Sequence, residues 1–258
     1  MPATSLRGVR GFVFDLDGCV WQGNTLNAGA ADTLAALDAS GRGVVFLTNN
    51  SRATAATVRA RLHGLGLTFA AHCLTPLEII GSVIRERFGI SRVLVMGAPE
   101  MAAMIAAAGH DVLEMKDYRS ASVVAVGNDF DLSYDRLAAA ARAAAAGAPV
   151  VTPNLDPRLP IEDGDFLPGC GAIVQAVCAT AGVKPIVIGK PEAPLFRLAL
   201  DRLGVAAADS VMVGDSREAD IAGARAVGMR TVLYAPAGAD EADADVVVRS
   251  FAELARLV

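Results

Sequence analysis

The sequence predicts an α/β protein: a parallel-sheet core interrupted by a second, inserted α/β domain. Three observations predict it. Short unbroken apolar runs of strand length alternate with helical stretches, the pattern of strands buried on both faces of a parallel sheet. Four of these runs end in polar residues: Gly11–Phe14 in Asp15-Leu16-Asp17-Gly18, Val44–Leu47 in Thr48-Asn49-Asn50-Ser51, Ile186–Ile188 in Gly189-Lys190-Pro191, and Val211–Val213 in Gly214-Asp215-Ser216. The alternation starts, gives way to a separate alternating block, and then resumes.

The elements follow in order. A strand at about 10–16 leads to a helix near 30–40, a strand near 43–48 and a helix near 53–64, with glycine turns at Gly41 and Gly43. Thr75-Pro76 opens the next helix, Thr75 as its cap and Pro76 at the first helical position, running to about Phe88. Val93–Met96 is a strand, Glu100–Ala108 a helix, Val123–Val126 a strand and Tyr134–Ala146 a helix. The alanine-rich run 138–146 within that helix is strongly helix-forming and reads as structure. Val150–Thr152 is a strand, and Asn154–Gly171 a long polar loop before a helix carrying Cys170 and Cys178. From Ile186 the first pattern resumes: strand, helix at about 194–203, strand, helix at about 217–226, strand Thr231–Leu233 and a final helix. The expected division is a core at 1–75 and 185–258, with residues 76–184 inserted as a second domain able to act as a lid.

Composition narrows the function. The 258 residues are 53% hydrophobic and 20% charged, which assures a sizeable core and argues against disorder. A net charge of −5 without a basic block makes nucleic acid a poor partner. The apolar runs fall short of the ~20 residues of a membrane helix. Arginines near the start are not followed by an apolar segment, so no signal peptide is expected and the cytoplasm is the expected compartment. Cys19, Cys73, Cys170 and Cys178 have no metal spacing. Eight residues apart on one helix, the last two stand roughly 12 Å apart, too far to bridge. Reduced, buried thiols are expected. His63, His72 and His110 lie at no strand tip and are read as surface or helix-end residues.

Ligands bind at the carboxyl ends of parallel strands, so the four tips carry the chemistry. Asp15 and Asp17, one residue apart in extended chain, point to the same side. Two carboxylates so close repel, and a cation relieves that. One can attack phosphorus while the other serves as general acid and then base. Gly18 lets the backbone approach a ligand. A polar turn, or part of a calcium loop, is the plainer reading of this motif alone. Thr48 offers a hydroxyl to a phosphate oxygen, or caps a helix with Asn49-Asn50-Ser51. Lys190, one of three lysines beside twenty arginines, supplies a compact cation, or a surface charge. Asp215 is a candidate cation ligand. Asp220 either caps the following helix or holds Lys190.

Taken in order, DxDG, TNN, GKP and GDxxxxD resemble the haloacid dehalogenase superfamily of phosphatases. The large insertion between TNN and GKP is similar to its NagD-like branch with an α/β cap. The resemblance covers nearly the whole chain. It implies a Rossmann-like core and a two-step, Mg2+-dependent phosphoryl transfer. Asp15 would be the nucleophile and Asp17 the acid/base. Asp15, the Asp17 carbonyl and Asp215 would bind the metal. Thr48 and Lys190 would hold the phosphoryl oxygens, with Asn49, Asn50 and Arg52 near the substrate. It also implies a small phosphorylated metabolite as partner and a homodimer formed through the cap. The chain departs from the usual GDRxxTDI at Ser216 and Ala219, and from the usual TNxD by a proline in Thr152-Pro153-Asn154-Leu155-Asp156. The cap loop from Asn154, through Arg158, Leu159 and Pro160, is similar to that of phosphoglycolate and glycerol-phosphate phosphatases. Pyridoxal-phosphate relatives tend to carry His where this chain has Leu159. Arg158 would meet a carboxylate or lie solvated.

Competing readings remain at this stage. A receiver domain also joins aspartates, Thr and Lys around magnesium, but is about half this length and has no insertion. A phosphotransferase of the same superfamily, or a nucleotide, sugar- or pyridoxal-phosphate phosphatase, differs only in acceptor or substrate. A non-catalytic phosphate sensor is opposed by the presence of Asp15, Asp17 and Lys190.

Overall fold

A computed structural model describes residues 5–68, 71–160, 165–240 and 244–258. First in chain order are β1 (Gly11–Asp15), the short hairpin β2 (Trp21–Gln22) and β3 (Thr25–Leu26), α1 (Ala30–Ala39), β4 (Gly43–Leu47), α2 (Ala55–Gly64) and β5 (His72–Leu74). Next come α3 (Pro76–Phe88), β6 (Arg92–Met96), α4 (Pro99–Ala107), β7 (Asp111–Leu113), a 3-10 segment Met115–Ser120, β8 (Val123–Val126) and α5 (Tyr134–Ala145). They are followed by β9 (Val150–Thr152), β10 (Arg158–Pro160), β11 (Phe166–Pro168), α6 (Cys170–Ala181) and β12 (Ile186–Val187). The chain closes with α7 (Ala193–Leu203), β13 (Ser210–Gly214), a π-helical turn Arg217–Ala222, α8 (Gly223–Ala226), β14 (Arg230–Tyr234), β15 (Val246–Val248) and α9 (Phe251–Leu257).

These elements form two compact units. The first comprises Met1–Thr48, Ala55–Leu74 and Lys190–Val258; the second comprises Asn49–Thr54 and Thr75–Gly189. The first unit holds a six-stranded sheet in the order β15-β14-β13-β1-β4-β5, and every pairing in it is parallel. The central strand β1 is flanked by β13 and β4, with Phe14 opposite both Val213 and Phe46. That register decides where the chemistry goes. Asp15 ends β1, Thr48 follows β4 and Asp215 follows β13, all on one edge. Phe14 lies between Phe12 and Phe251, with ring centroids 6.2 Å apart on each side, and anchors the sheet interior.

The second unit has its own parallel sheet, β12-β9-β8-β6-β7. On α5 the alanine run buries Ala139, Ala140, Ala141, Ala143 and Ala144 in one core cluster with Ile173, Val174 and Val177 of α6. Small side chains let backbones approach closely, which gives the run a packing role.

Several expectations change. Ile186–Ile188 was expected beside the other tips in the core sheet. Instead Ile186 and Val187 pair with Val151 and Thr152 of β9, in the second unit. A two- or three-residue apolar run says nothing about which sheet it joins. Lys190 therefore follows a strand of the second sheet while belonging to the first unit. The helix expected at 217–226 begins as a π turn, in which the Ile221 amide reaches the Ser216 carbonyl at 3.2 Å. Thr75 is the N-cap of α3, but its side chain makes no capping bond and its Oγ1 is buried without a partner. The long loop 154–171 contains the hairpin β10–β11. Sequence reading also passed over β5, β7, β15 and the hairpin β2–β3. His110 is buried rather than superficial: Nδ1 accepts from the Ser91 amide at 3.1 Å, so Nε2 donates to the Gly81 carbonyl at 2.9 Å.

The four cysteines are free and buried, as the sequence suggested. Burial pushes the Cys73 and Cys170 thiols up to about 11. Among the described residues no helix is long and apolar enough to cross a membrane.

Candidate active site

Asp15 is buried at the end of β1, with 5% of its surface exposed. The Lys190 ammonium donates to Asp15 Oδ1, to Asp220 Oδ1 at 2.7 Å and to the Leu47 carbonyl at 3.4 Å. Asp15, Asp215 and Asp220 each present an oxygen within 4.8 Å of the other two. Three carboxylates therefore face one ammonium. Burial works against the Lys190 charge, but Asp15 and Asp220 outweigh it and hold the ammonium well above its ordinary range. Burial raises Asp15 well above the usual carboxylate range; repulsion from Asp220 and Asp215 adds to this, and Lys190 opposes it. Asp215 is raised by burial and by Asp220. Carboxylates gathered this closely repel one another, and a cation would relieve that repulsion.

The donor set fits such a cation. All its atoms are carboxylate oxygens, the choice of hard divalent ions. Two glycines make room for them. Gly18 has φ +91°, and a Cβ there would lie 2.3 Å from Asp215 Oδ2. A Cβ on Gly214 would lie 2.3 Å from Asp220 Oδ2. Gly18 thus admits a neighbouring carboxylate, where the sequence suggested a close approach to ligand.

Of the two roles left open by its sequence Asp220 takes the bond to Lys190: one oxygen meets the ammonium, Oδ2 accepts from the Ser216 amide at 3.1 Å, and the N-cap of the turn is Ser216. The departures at Ser216 and Ala219 meet each other, since Ser216 Oγ caps the π turn by accepting from the Ala219 amide at 3.0 Å.

Asp17 is exposed and stands outside the three-carboxylate group. Its Oδ1 accepts from the Trp21 indole at 2.7 Å, and its Oδ2 from Thr48 Oγ1 at 3.4 Å. Trp21 escaped sequence reading. The signal was present: the chain's one tryptophan stands four residues after Asp17.

The remaining predicted residues belong to the second unit. Asn50 Oδ1 accepts from the Arg52 and Ala53 amides at 2.9 and 3.0 Å, a capping turn. The Arg52 guanidinium lies 3.8 Å from the Phe130 ring centroid and donates to the Asn128 carbonyl at 3.4 Å. Asn154 Nδ2 donates to the Asn49 carbonyl at 2.7 Å, and Asn154 Oδ1 accepts from the Asp156 amide at 3.1 Å. The Pro153 carbonyl accepts from the Gly189 amide at 2.8 Å, and a Cβ on Gly189 would strike it. Arg158 is exposed and stacks on Phe166 at 4.3 Å, while Leu159 pairs with Leu167 across the hairpin. Asn128 and Phe130 were not singled out in the sequence; nothing in their local pattern marks them.

Known proteins show the family to which the chain belongs. A family model described as haloacid dehalogenase-like hydrolase matches residues 12–111, and a second, HAD-hydrolase-like model matches 187–254. Human glycerol-3-phosphate phosphatase is 33% identical, over 88% of this chain and 79% of its own length. The chain is a haloacid dehalogenase-like hydrolase. Within that family it is a phosphoric monoester hydrolase. A sugar-phosphatase from Bacillus subtilis is 29% identical over 90% of this chain and 85% of its own. The solved structure of a glycerol phosphate phosphatase from Mycobacterium tuberculosis, in complex with magnesium, superposes with a TM-score of 0.87. It is 28% identical and covers 98% of this chain and 79% of its own.

Proposed function

We propose that this hydrolase cleaves small alkyl phosphate monoesters, glycerol 3-phosphate or 2-phosphoglycolate in kind, with Mg2+ and through a phosphoryl group carried on Asp15. The observation that carries the reading is the Asp15–Lys190–Asp220 chain beside Asp215. An ammonium bonded to Oδ1 of a buried carboxylate fixes its orientation and leaves its other oxygen to act. Asp215, with Asp15 and the Asp17 carbonyl, would hold the Mg2+. When bound, the ion neutralises the carboxylates and draws charge from the phosphoryl oxygens. Thr48 and Lys190 bind the phosphoryl oxygens.

The residues then work in two steps. An Asp15 oxygen attacks phosphorus, and the ester P–O bond breaks. Asp17 gives a proton to the departing oxygen, so an alcohol leaves. In the second step water gives a proton to Asp17 and its oxygen attacks phosphorus. The Asp15–phosphorus bond breaks, its electron pair returns to Asp15, and phosphate leaves.

Substrate choice belongs to the second unit in this reading, as a cap. Its two segments, Asn49–Thr54 and Thr75–Gly189, begin directly after Thr48 and end directly before Lys190, so the outermost junctions adjoin catalytic residues in sequence. Leu159 suits a small ligand, since it offers no polar group to a cofactor ring. Support comes from the relatives named glycerol-3-phosphate phosphatase. The relative named sugar-phosphatase keeps sugar phosphates as a second reading. The test is kcat/KM with Mg2+ for glycerol 3-phosphate and 2-phosphoglycolate, against a hexose phosphate, pyridoxal phosphate and a nucleoside monophosphate. The first two should lead. A lead for pyridoxal phosphate or a nucleotide removes the substrate assignment and leaves the chemistry standing.

A further inference from the structure

Trp21 has no part in the steps above, yet it is bonded to one of their actors. It opens β2 and is 2% exposed. Its indole Nε1 donates to Asp17 Oδ1 at 2.7 Å. Its backbone closes the loop that carries Asp17: the Trp21 amide donates to the Leu16 carbonyl at 3.0 Å, and the Trp21 carbonyl accepts from the Gly18 amide at 2.8 Å. Arg61 of α2 lies over the indole, 4.3 Å from the ring centroid, and donates to the Gly23 carbonyl in the turn of the same hairpin. The indole is thus clamped on its face and directed at one oxygen of one carboxylate.

The chemistry of that contact is one-sided. An indole nitrogen donates and never accepts. In a protonated carboxyl group the carbonyl oxygen is the better acceptor. The indole bond at 2.7 Å therefore occupies Oδ1, whereas Oδ2 accepts a longer and weaker bond and is the oxygen left to exchange a proton. Oδ2 is the oxygen beside Thr48 Oγ1, at 3.4 Å.

We infer that Trp21 is a positioning residue for the proton-transfer steps: its indole N–H orients the Asp17 carboxyl so that Oδ2 carries the proton, and Arg61 keeps the indole in place. As the ester P–O bond breaks, the Oδ2–H bond breaks and its proton goes to the departing oxygen. Oδ2 then takes a proton from the attacking water. The inference rests on the proposed role of Asp17 as acid.

The test compares kcat/KM for glycerol 3-phosphate and for p-nitrophenyl phosphate, whose leaving group needs little protonation. Wild type, Trp21→Phe, Arg61→Ala and Asp17→Asn are measured with Mg2+. General acid catalysis contributes about a hundred-fold or more, and mispositioning forfeits part of it. Trp21→Phe keeps the ring and removes the donor. It should lose about ten-fold on glycerol 3-phosphate and less than about two-fold on p-nitrophenyl phosphate. KM should stay within about two-fold on both. Arg61→Ala should show the same selectivity to a smaller degree. A tryptophan that only fills the hairpin lowers both substrates alike, and that result overturns the inference. If Asp17→Asn is selective and Trp21→Phe is not, the inference alone falls. If Asp17→Asn is itself unselective, the acid role falls and the inference with it. Should Trp21→Phe not fold, Arg61→Ala decides the matter, and equal losses there overturn the inference.

Discussion

The carboxyl-terminal edges of the two sheets are built from opposite materials. In the first unit the edge carries three carboxylates and one ammonium, and Lys190 ties Asp15 and Asp220 into a single network. In the second unit the corresponding edge carries Asn128, Asn154 and a neighbouring arginine stacked on Phe130. There the buried Asn128 Oδ1 and Ser51 Oγ have no hydrogen-bond partner. A buried polar atom without a partner costs about 1–3 kcal/mol, a cost that a bound ligand would relieve. The difference teaches how labour is divided. Bond-making needs charges fixed before the substrate arrives. In the proposed division the second edge would select, its amide groups and Arg52 completing their bonding on the ligand.

The largest expected effect comes from removing the charge at the centre of the first edge. Asp15→Asn should lower phosphate release by roughly four powers of ten or more, as loss of a nucleophile does elsewhere. The measurement is initial rate with Mg2+; near-normal release would erase the contrast between the two edges. Lys190→Met tests the network as structure. Removing one partner from a buried charge network costs about 3–5 kcal/mol, so denaturant unfolding should show a loss of that order in the metal-free protein.

A pH series sharpens the same point. Asp15 and Asp215 are held above the ordinary carboxylate range. The metal-free fold therefore keeps protons that the unfolded chain releases above about pH 4. Its stability should fall as pH rises through that region toward the raised values. Mg2+, binding the ionised carboxylates, should remove the fall. Melting temperature against pH, with and without Mg2+, reads both slopes, and parallel curves would count against a cation at this cluster. Gly18→Ala follows. Its φ of +91° and the 2.3 Å approach of Asp215 predict about 1–3 kcal/mol of strain and a higher Mg2+ requirement.

On the second edge the effects should be small. Leu159→His should shift relative kcat/KM away from small substrates by a few-fold and leave stability unchanged, and so should sharpen the contrast. A loss as large as that of Asp15→Asn would place chemistry where only selection is expected. Arg158→Ala removes an exposed stacking contact with Phe166, worth about 0.5–1 kcal/mol, and should scarcely move the unfolding midpoint.

The two edges also differed in how much the sequence disclosed. The tips of β1, β4 and β13 were legible because a strand, a parallel sheet and a shared edge follow from apolar runs and their polar endings. Lys190 was legible as chemistry, but its strand was assigned to the wrong sheet, because Ile186–Val187 is too short to declare its partner. Trp21 went unread because its meaning is a tertiary geometry: an indole turned back on Asp17 and held by an arginine from α2, forty residues on. Asn128 and Phe130 went unread for the same reason. Arg52 finds them 76 and 78 residues further along the chain, in a fold no local pattern specifies. The glycines at 18 and 214 were visible as motif members, but the carboxylates they admit belong to other elements or later turns.

The central claim is that Asp15 carries the phosphoryl group, and chemical trapping tests it most directly. The enzyme is mixed with excess glycerol 3-phosphate and Mg2+, quenched in acid within a turnover, and reduced with borohydride, which converts an aspartyl phosphate to homoserine. Peptide sequencing by mass spectrometry should then find homoserine at position 15 and aspartate at positions 17, 215 and 220. Homoserine at any of those three positions, or intact aspartate at all four while phosphate is released, would contradict the account.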